Sequence, residues 1–173
     1  HSVDLDFSAL PDFPAAALRS HMERWFAQVY PRHGLRVRLL DYHRANGAAR
    51  MRAQFLGPLG HPARLLFDVT LDEPILLSPQ QRTVSLASFS PLRPLVLTYT
   101  LEEILVEKLR SILQRGKSRD YYDVWRLLKE KSSHIDMARA RSILARKCQH
   151  KGVKAPENAA FLTPSRLEEA RAY

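Results

Sequence analysis

"ARLLFDVTL", residues 63–71, is a dense apolar run with one aspartate in its middle. Read as a strand, it points Leu65, Phe67 and Val69 to one side and Leu66, Asp68 and Thr70 to the other. So dense an apolar run, with leucines on both faces, predicts a central strand. An isolated carboxylate there is costly unless it is paired or bound to a metal. Asp68 is therefore either a strand acid meeting solvent or an arginine, or a ligand.

Working outward, "HSVDLDF" at 1–7 reads as a second strand, with Asp4 and Asp6 on one face and Val3, Leu5 and Phe7 on the other. Two anions that close repel and resist burial, so their face is open to solvent or holds a cation. "LRVRLLDYH" (35–43) and "ARMRAQFL" (49–56) flank "RANGA", where Asn46-Gly47 signals a tight turn between antiparallel strands. Arg36 and Arg38 share a face of the first strand, and Arg50, Arg52 and Gln54 share a face of the second. That face could touch phosphates, or it is the wet side of an antiparallel pair.

Between these strands, Leu18, Met22, Trp25, Phe26 and Val29 recur at helical spacing, predicting a helix over 15–30 that Pro31 and Gly34 end. Residues 74–98 are punctuated by prolines, with a short strand expected at 83–88. From Thr100 onward the character is helical. Thr100-Leu-Glu-Glu103 is a capping-box pattern, and Leu101, Ile104, Leu105, Leu109, Ile112 and Leu113 form one stripe that Gly116 ends. Ser118 can cap the next helix (119–131); helices are expected at 135–148 and 164–172, with a loop over 150–163. The fold class is α+β: a small mixed sheet with packed helices over 1–98, then a helical domain over 99–173.

The 173 residues carry 27 Lys and Arg against 18 Asp and Glu, a formal charge of +9 that favours a polyanionic partner such as nucleic acid. Cys148 is the single cysteine, which excludes an intrachain disulfide and a cysteine-based zinc site and fits a reducing cytoplasm. No apolar run is long enough for a membrane span and no signal-peptide pattern is present. The chain has no initiator Met and begins inside an apparent strand, so its N-terminal part is expected to be missing.

Asp4 and Asp6 on one strand and Asp68 on a neighbour would make a compact oxygen-only cage, suited to one or two Mg²⁺ ions that also take substrate phosphates. In the helical part, Lys108 lies one turn after Ile104 and one before Ile112, bordering the apolar stripe. It is either a snorkelling lysine paired with Glu103 or Glu107 or a point charge for phosphates. Arg115, Lys117 and Arg119 surround the next helix start, where anions bind readily. Asp120 and Asp123 share a face of that helix and could orient Lys108 or take a proton from an incoming hydroxyl, or simply favour a helix N-terminus.

The order "SVDLDF", "LLFDVTL", "LTYTLEEILVEKLRSILQRGKSRDYYDVWRLL" resembles the AbiEii/AbiGii-type nucleotidyltransferase toxins, within the polymerase-β-like nucleotidyltransferases, over residues 2–130. The family's D-x-D falls on Asp4 and Asp6, its third Asp on Asp68, its E-x-x-x-x-K on Glu103 and Lys108, and its R-D-x-x-D on Arg119, Asp120 and Asp123. The resemblance implies a nucleotidyltransferase core with an appended helical domain. It implies Mg²⁺ held by Asp4, Asp6 and Asp68, and a nucleoside triphosphate (NTP) contacted by Lys108, Arg115 and Arg119. Asp120 or Asp123 would support that contact or the acceptor hydroxyl. Transfer would be to RNA, with tRNA the favoured acceptor and Arg36, Arg38, Arg50 and Arg52 as candidate RNA contacts. It implies a toxin of a toxin–antitoxin or phage-defence pair, with a cognate antitoxin. It also implies a Gly-Gly/Ser helix start upstream of the D-x-D that cradles the triphosphate; the chain begins after that point, and a native protein starting there would bind NTP weakly or not at all.

Two other classes compete. One is a non-catalytic RNA- or partner-binding module on the same fold, which binds RNA without labelling it. The other takes Asp68 with Glu107-Lys108 as a nuclease set, which belongs on adjoining strands, whereas Glu107-Lys108 sits in a helical pattern.

Overall fold

A computed structural model describes residues 4–57, 59–84, 93–154 and 158–171. The class is α+β. The strands are β1 (Asp4–Ser8), β2 (Val37–Ala45), β3 (Ala48–Leu56), β4 (Pro62–Thr70), β5 (Gln80–Thr83) and β6 (Leu95–Thr98). The helices are α1 (Leu18–His33), α2 (Leu101–Arg115), α3 (Ser118–Lys131), α4 (Met137–His150) and α5 (Pro164–Arg171). The chain divides into two compact units, His1–Glu73 and Pro74–Tyr173.

In the first unit the sheet order is β1-β4-β3-β2, so "ARLLFDVTL" is central as its two-sided apolar character predicts. β1 runs parallel to β4, while β4–β3 and β3–β2 are antiparallel. One sheet face collects Ala49, Met51, Ala53, Phe67 and Val69, and α1 lays Leu18, Met22 and Phe26 across them at four-residue spacing. Phe26 meets Phe67 with ring centroids 5.7 Å apart. Each such side chain contributes about 1.5–3 kcal/mol on burial. Trp25, expected on the same stripe, sits at its margin, 49% exposed against Phe26.

Pro31 does not end α1, which continues to His33. A proline in the last turn forfeits one backbone bond rather than a whole ladder. Gly34, at φ 67°, closes the helix by donating its N–H to the Tyr30 carbonyl at 2.8 Å. The predicted Asn46-Gly47 turn joins β2 to β3 with φ of 50° and 71°. The Asp72 carboxyl occupies the space a side chain at position 47 would need. Gly47→Ala is therefore expected to lower stability by about 1–2 kcal/mol, seen as a lower urea midpoint with an unchanged slope. An unmoved midpoint would show that Asp72 and the turn relax freely.

In the second unit β5 and β6 form an antiparallel pair. A strand runs over Gln80–Thr83 and meets the predicted 83–88 only at Thr83; residues 85–92, which hold most of that expectation, lie outside the described residues. The helical core gathers Leu105 and Val106 of α2, Ala140 and Ile143 of α4, and Leu77 and Ile135 from the connections. The Thr100 hydroxyl accepts the Glu103 N–H at 3.3 Å, as a capping box requires. Glu103 does not complete the box: its carboxylate accepts the N–H groups of Leu76 and Leu77 at 2.8 and 2.9 Å. Ser118 does not cap α3; it is the first helical residue, and Lys117 takes the cap position in an extended conformation without a side-chain bond. Asp136 caps α4 by accepting the Arg139 N–H at 3.0 Å. The predicted 150–163 loop contains a 3₁₀ turn at Asn158–Phe161, with residues 155–157 outside the described residues.

Candidate functional site

The register of the first sheet decides how its acids stand. Asp6 pairs with Asp68 across β1–β4, and Asp4 pairs with Leu66, two residues earlier on β4. Side chains alternate, so Asp4, Asp6 and Asp68 share one face, opposite the one α1 covers. Neighbouring strands are about 4.8 Å apart, so Asp6 and Asp68 are direct neighbours. Across β3–β4, Arg50 pairs with Asp68. Its guanidinium donates to both Asp68 oxygens, at 2.7 and 3.1 Å. The row Asp6–Asp68–Arg50 thus sets two acids beside one base, and the Arg50 guanidinium is held above its ordinary pKa mainly by its hydrogen bond to Asp68.

The other hairpin arginines are also engaged. Arg38 donates to the Gln54 side-chain oxygen at 2.9 and 2.6 Å. Arg52 stands 3.5 Å from Asp41. Arg36, just before β2, lies over the Tyr30 ring at 4.9 Å. The arginine face is a laced polar surface whose guanidiniums keep exposed edges.

Carboxylate oxygens alone, from three positions on one face, are the donor type that a hard divalent ion such as Mg²⁺ takes. As the side chains stand, Asp68 is engaged by Arg50. Among the described residues no group of three or more His, Cys, Asp or Glu is gathered closely enough to hold a metal. Holding the ion requires Asp68 to exchange its arginine for the cation.

In the second unit the structure sorts the acids and bases of the "RSILQRGKSRDYYD" stretch into two pairs. Lys108 donates to Asp123 at 2.6 Å, both of them partly exposed. Lys108 is thus neither paired with Glu103 nor with Glu107. Arg115 grips both Asp120 oxygens at 2.8 Å. Asp120 is fully buried at the start of α3, and Arg115 remains 42% exposed. Arg119 is exposed on the first turn of α3. Asp123 orients Lys108, and Asp120 orients Arg115.

Burial works against the charged form of Asp120, and the Arg115 guanidinium more than offsets it, so the carboxyl is held below the usual range. The pair's contribution is present above the unfolded aspartate pKa of about 3.9 and is lost as pH falls through the lower folded value. Asp120→Asn is expected to cost about 1–3 kcal/mol at pH 7. That gap should shrink progressively below pH 4, measured by urea unfolding of both proteins at each pH. A gap independent of pH would contradict an ionised Asp120.

A third cluster lies where no sequence motif points. Lys147 of α4 is fully buried and lies 2.9 Å from Glu103 and 2.7 Å from Glu107. Glu107 also takes Arg110 at 2.7 Å, and neighbouring Glu102 accepts the Asp136 N–H at 3.0 Å. Burial alone would push Lys147 down and Glu107 up; their mutual pairing, with Arg110 on Glu107, prevails and both are held charged. A signal existed: Lys147 follows Ala140 and Ile143 at seven- and four-residue spacing, on the apolar stripe of its helix. Glu103 is therefore tied to the second unit's core.

No helix among the described residues is long and apolar enough to cross a membrane. No curated protein and no solved structure matches the chain. A family model described as "Nucleotidyl transferase AbiEii toxin, Type IV TA system" matches residues 1–172, essentially the whole chain. The chain therefore belongs to the AbiEii nucleotidyltransferase toxin family of type IV toxin–antitoxin systems.

Proposed function

We propose that this chain transfers a nucleotidyl group from an NTP to an RNA acceptor, tRNA first among them, in a Mg²⁺-dependent reaction, and that a cognate antitoxin restrains it in the cytoplasm. The observation that carries the reading is the register that sets Asp6 beside Asp68 with Asp4 on the same face, in a chain of a nucleotidyltransferase family. Asp4, Asp6 and Asp68 would hold the cation. When bound, Mg²⁺ neutralises phosphate charge and favours the attacking and leaving oxygens of an in-line displacement.

The remaining roles belong to side chains of the second unit. Lys108, held by Asp123, offers a fixed ammonium to a phosphate oxygen. Asp123 also keeps a partly exposed carboxylate that can take a proton from the incoming hydroxyl. Arg115, clamped by buried Asp120, presents its exposed edge to phosphate, and Arg119 adds a second guanidinium from the first turn of α3. Arg36, Arg38, Arg50 and Arg52 offer backbone contacts to the acceptor. The charge supports a nucleic-acid substrate: Pro74–Tyr173 carries 18 Lys and Arg against 10 Asp and Glu, so +8 of the +9 lies in the second unit.

The test is incubation of the full-length protein with each labelled NTP, Mg²⁺ and total RNA, alongside Asp68→Ala and a chelator control. Label should enter RNA with one NTP preferred and vanish with the variant or with the chelator. RNA that is bound but never labelled would mark a non-catalytic module, and shortened RNA would mark a nuclease.

A further inference from the structure

We propose that the exposed face of α3 is a stacking platform for single-stranded RNA, with Tyr122 and Trp125 taking bases and Arg119 and Lys129 taking the flanking phosphates. Tyr122 and Trp125 are 56% and 54% exposed, on a helix whose opposite side supplies Val124, Leu127 and Leu128 to the core. Three-residue spacing sets the rings side by side, with centroids 5.7 Å apart and planes tilted by 38°. Large aromatics are costly to leave in water, and two adjacent ones offer a pair of neighbouring π faces.

The charges around them are of one sign once pairs are removed. Lys129, one turn beyond Trp125, sits over its ring at 4.7 Å. Arg119 lies one turn before Tyr122. Arg126, on the same face, is neutralised by Glu130 at 2.9 Å, and Asp123 at the margin is neutralised by Lys108. Among the described residues neither Arg119 nor Lys129 has an ion pair, so the platform carries two such cations about 15 Å apart along the helix, with two rings between. Interleaved aromatics and cations suit a single strand, whose bases offer free faces while its phosphates track the basic groups. A duplex hides those faces. The excess charge of this unit makes the occupant a polyanion rather than an apolar or basic partner.

This proposal deepens the RNA-directed reading above, and its test needs neither NTP nor Mg²⁺. The chain has two tryptophans, so Trp25→Phe leaves Trp125 as the sole indole emitter. A short single-stranded oligoribonucleotide added to that protein should quench its emission, and a duplex of the same sequence should do so weakly. Tyr122→Ala should weaken binding about tenfold, Trp125→Phe should retain most of it by fluorescence polarisation of labelled RNA, and Trp125→Ala should lose it as Tyr122→Ala does. Arg119→Gln with Lys129→Gln leaves the rings in place and should weaken binding and flatten its salt dependence. Asp68→Ala should quench as the parent does, so that a protein failing to label RNA can still confirm the platform. Full affinity in folded Tyr122→Ala and Trp125→Ala, or equal quenching by duplex, overturns the proposal.

Discussion

Lys147→Met is expected to lower the free energy of unfolding by about 3–5 kcal/mol, the cost of stranding buried charge. The methionine fills the space of the lysine stem, so packing changes little. What is lost is the ammonium that stands 2.9 Å from Glu103 and 2.7 Å from Glu107. Glu107 keeps Arg110, and Glu103 keeps two backbone N–H donors but has no other cation among its described ion pairs. Against a total stability of about 5–15 kcal/mol this is about a fifth or more. Adding Glu103→Gln to the variant should recover part of the loss, since an amide oxygen still accepts from the Leu76 or Leu77 N–H and no buried anion remains at 103. Urea unfolding of the parent, single and double variants measures both steps. A single-variant loss under 1 kcal/mol would show that the cluster is not charged. A double variant no better than the single would show that the carboxylate's backbone bonds matter more than its charge.

That cluster marks where the sequence stopped being legible. Patterns with a period could be read: the two-sided apolar run of β4, the Asn-Gly turn, the α1 stripe and the capping threonine of α2 each follow from local chemistry, and each is found. The break of alternation at Leu39-Leu40 was also in plain view. It is a register shift between Leu39 and Asp41 that brings Asp41 opposite Arg52 and leaves Leu40 39% exposed. Pairings between distant positions could not be read. Glu102 and Glu103 look like favourable first-turn acids of a helix, and both are buried because loop N–H groups 26 to 34 residues away come to them. The same limit applied to the site. Acidic residues at 4, 6 and 68 were candidates from spacing alone, whereas Arg50 as the partner of Asp68 emerges only from the β3–β4 register. Asp120 and Asp123 look equivalent on a helical wheel, yet one is fully buried on Arg115 and the other half-exposed on Lys108.

Asp68→Asn is expected to abolish labelling of RNA, with kcat down about 100-fold or more, as loss of a charged ligand to a catalytic ion requires. Arg50→Gln breaks the same bridge from its other end and separates the two readings of Asp68. If Asp68 served only to hold Arg50, the two variants would fall together. If it serves a cation, Arg50→Gln removes a competitor for that carboxylate: kcat should stay within about threefold, the Mg²⁺ needed for half-maximal activity should fall, and any loss should appear in KM for RNA, where an arginine near phosphate acts. Unfolding cannot account for either outcome. The bridge is surface-exposed, with Arg50 at 67% and Asp68 at 36%, and solvent screens pairs of that kind until they add little to stability. Matching circular dichroism melts would confirm this. Equal loss of kcat in both variants, with the Mg²⁺ requirement unchanged, would remove Asp68 from the ion and leave it as the positioning partner of an arginine.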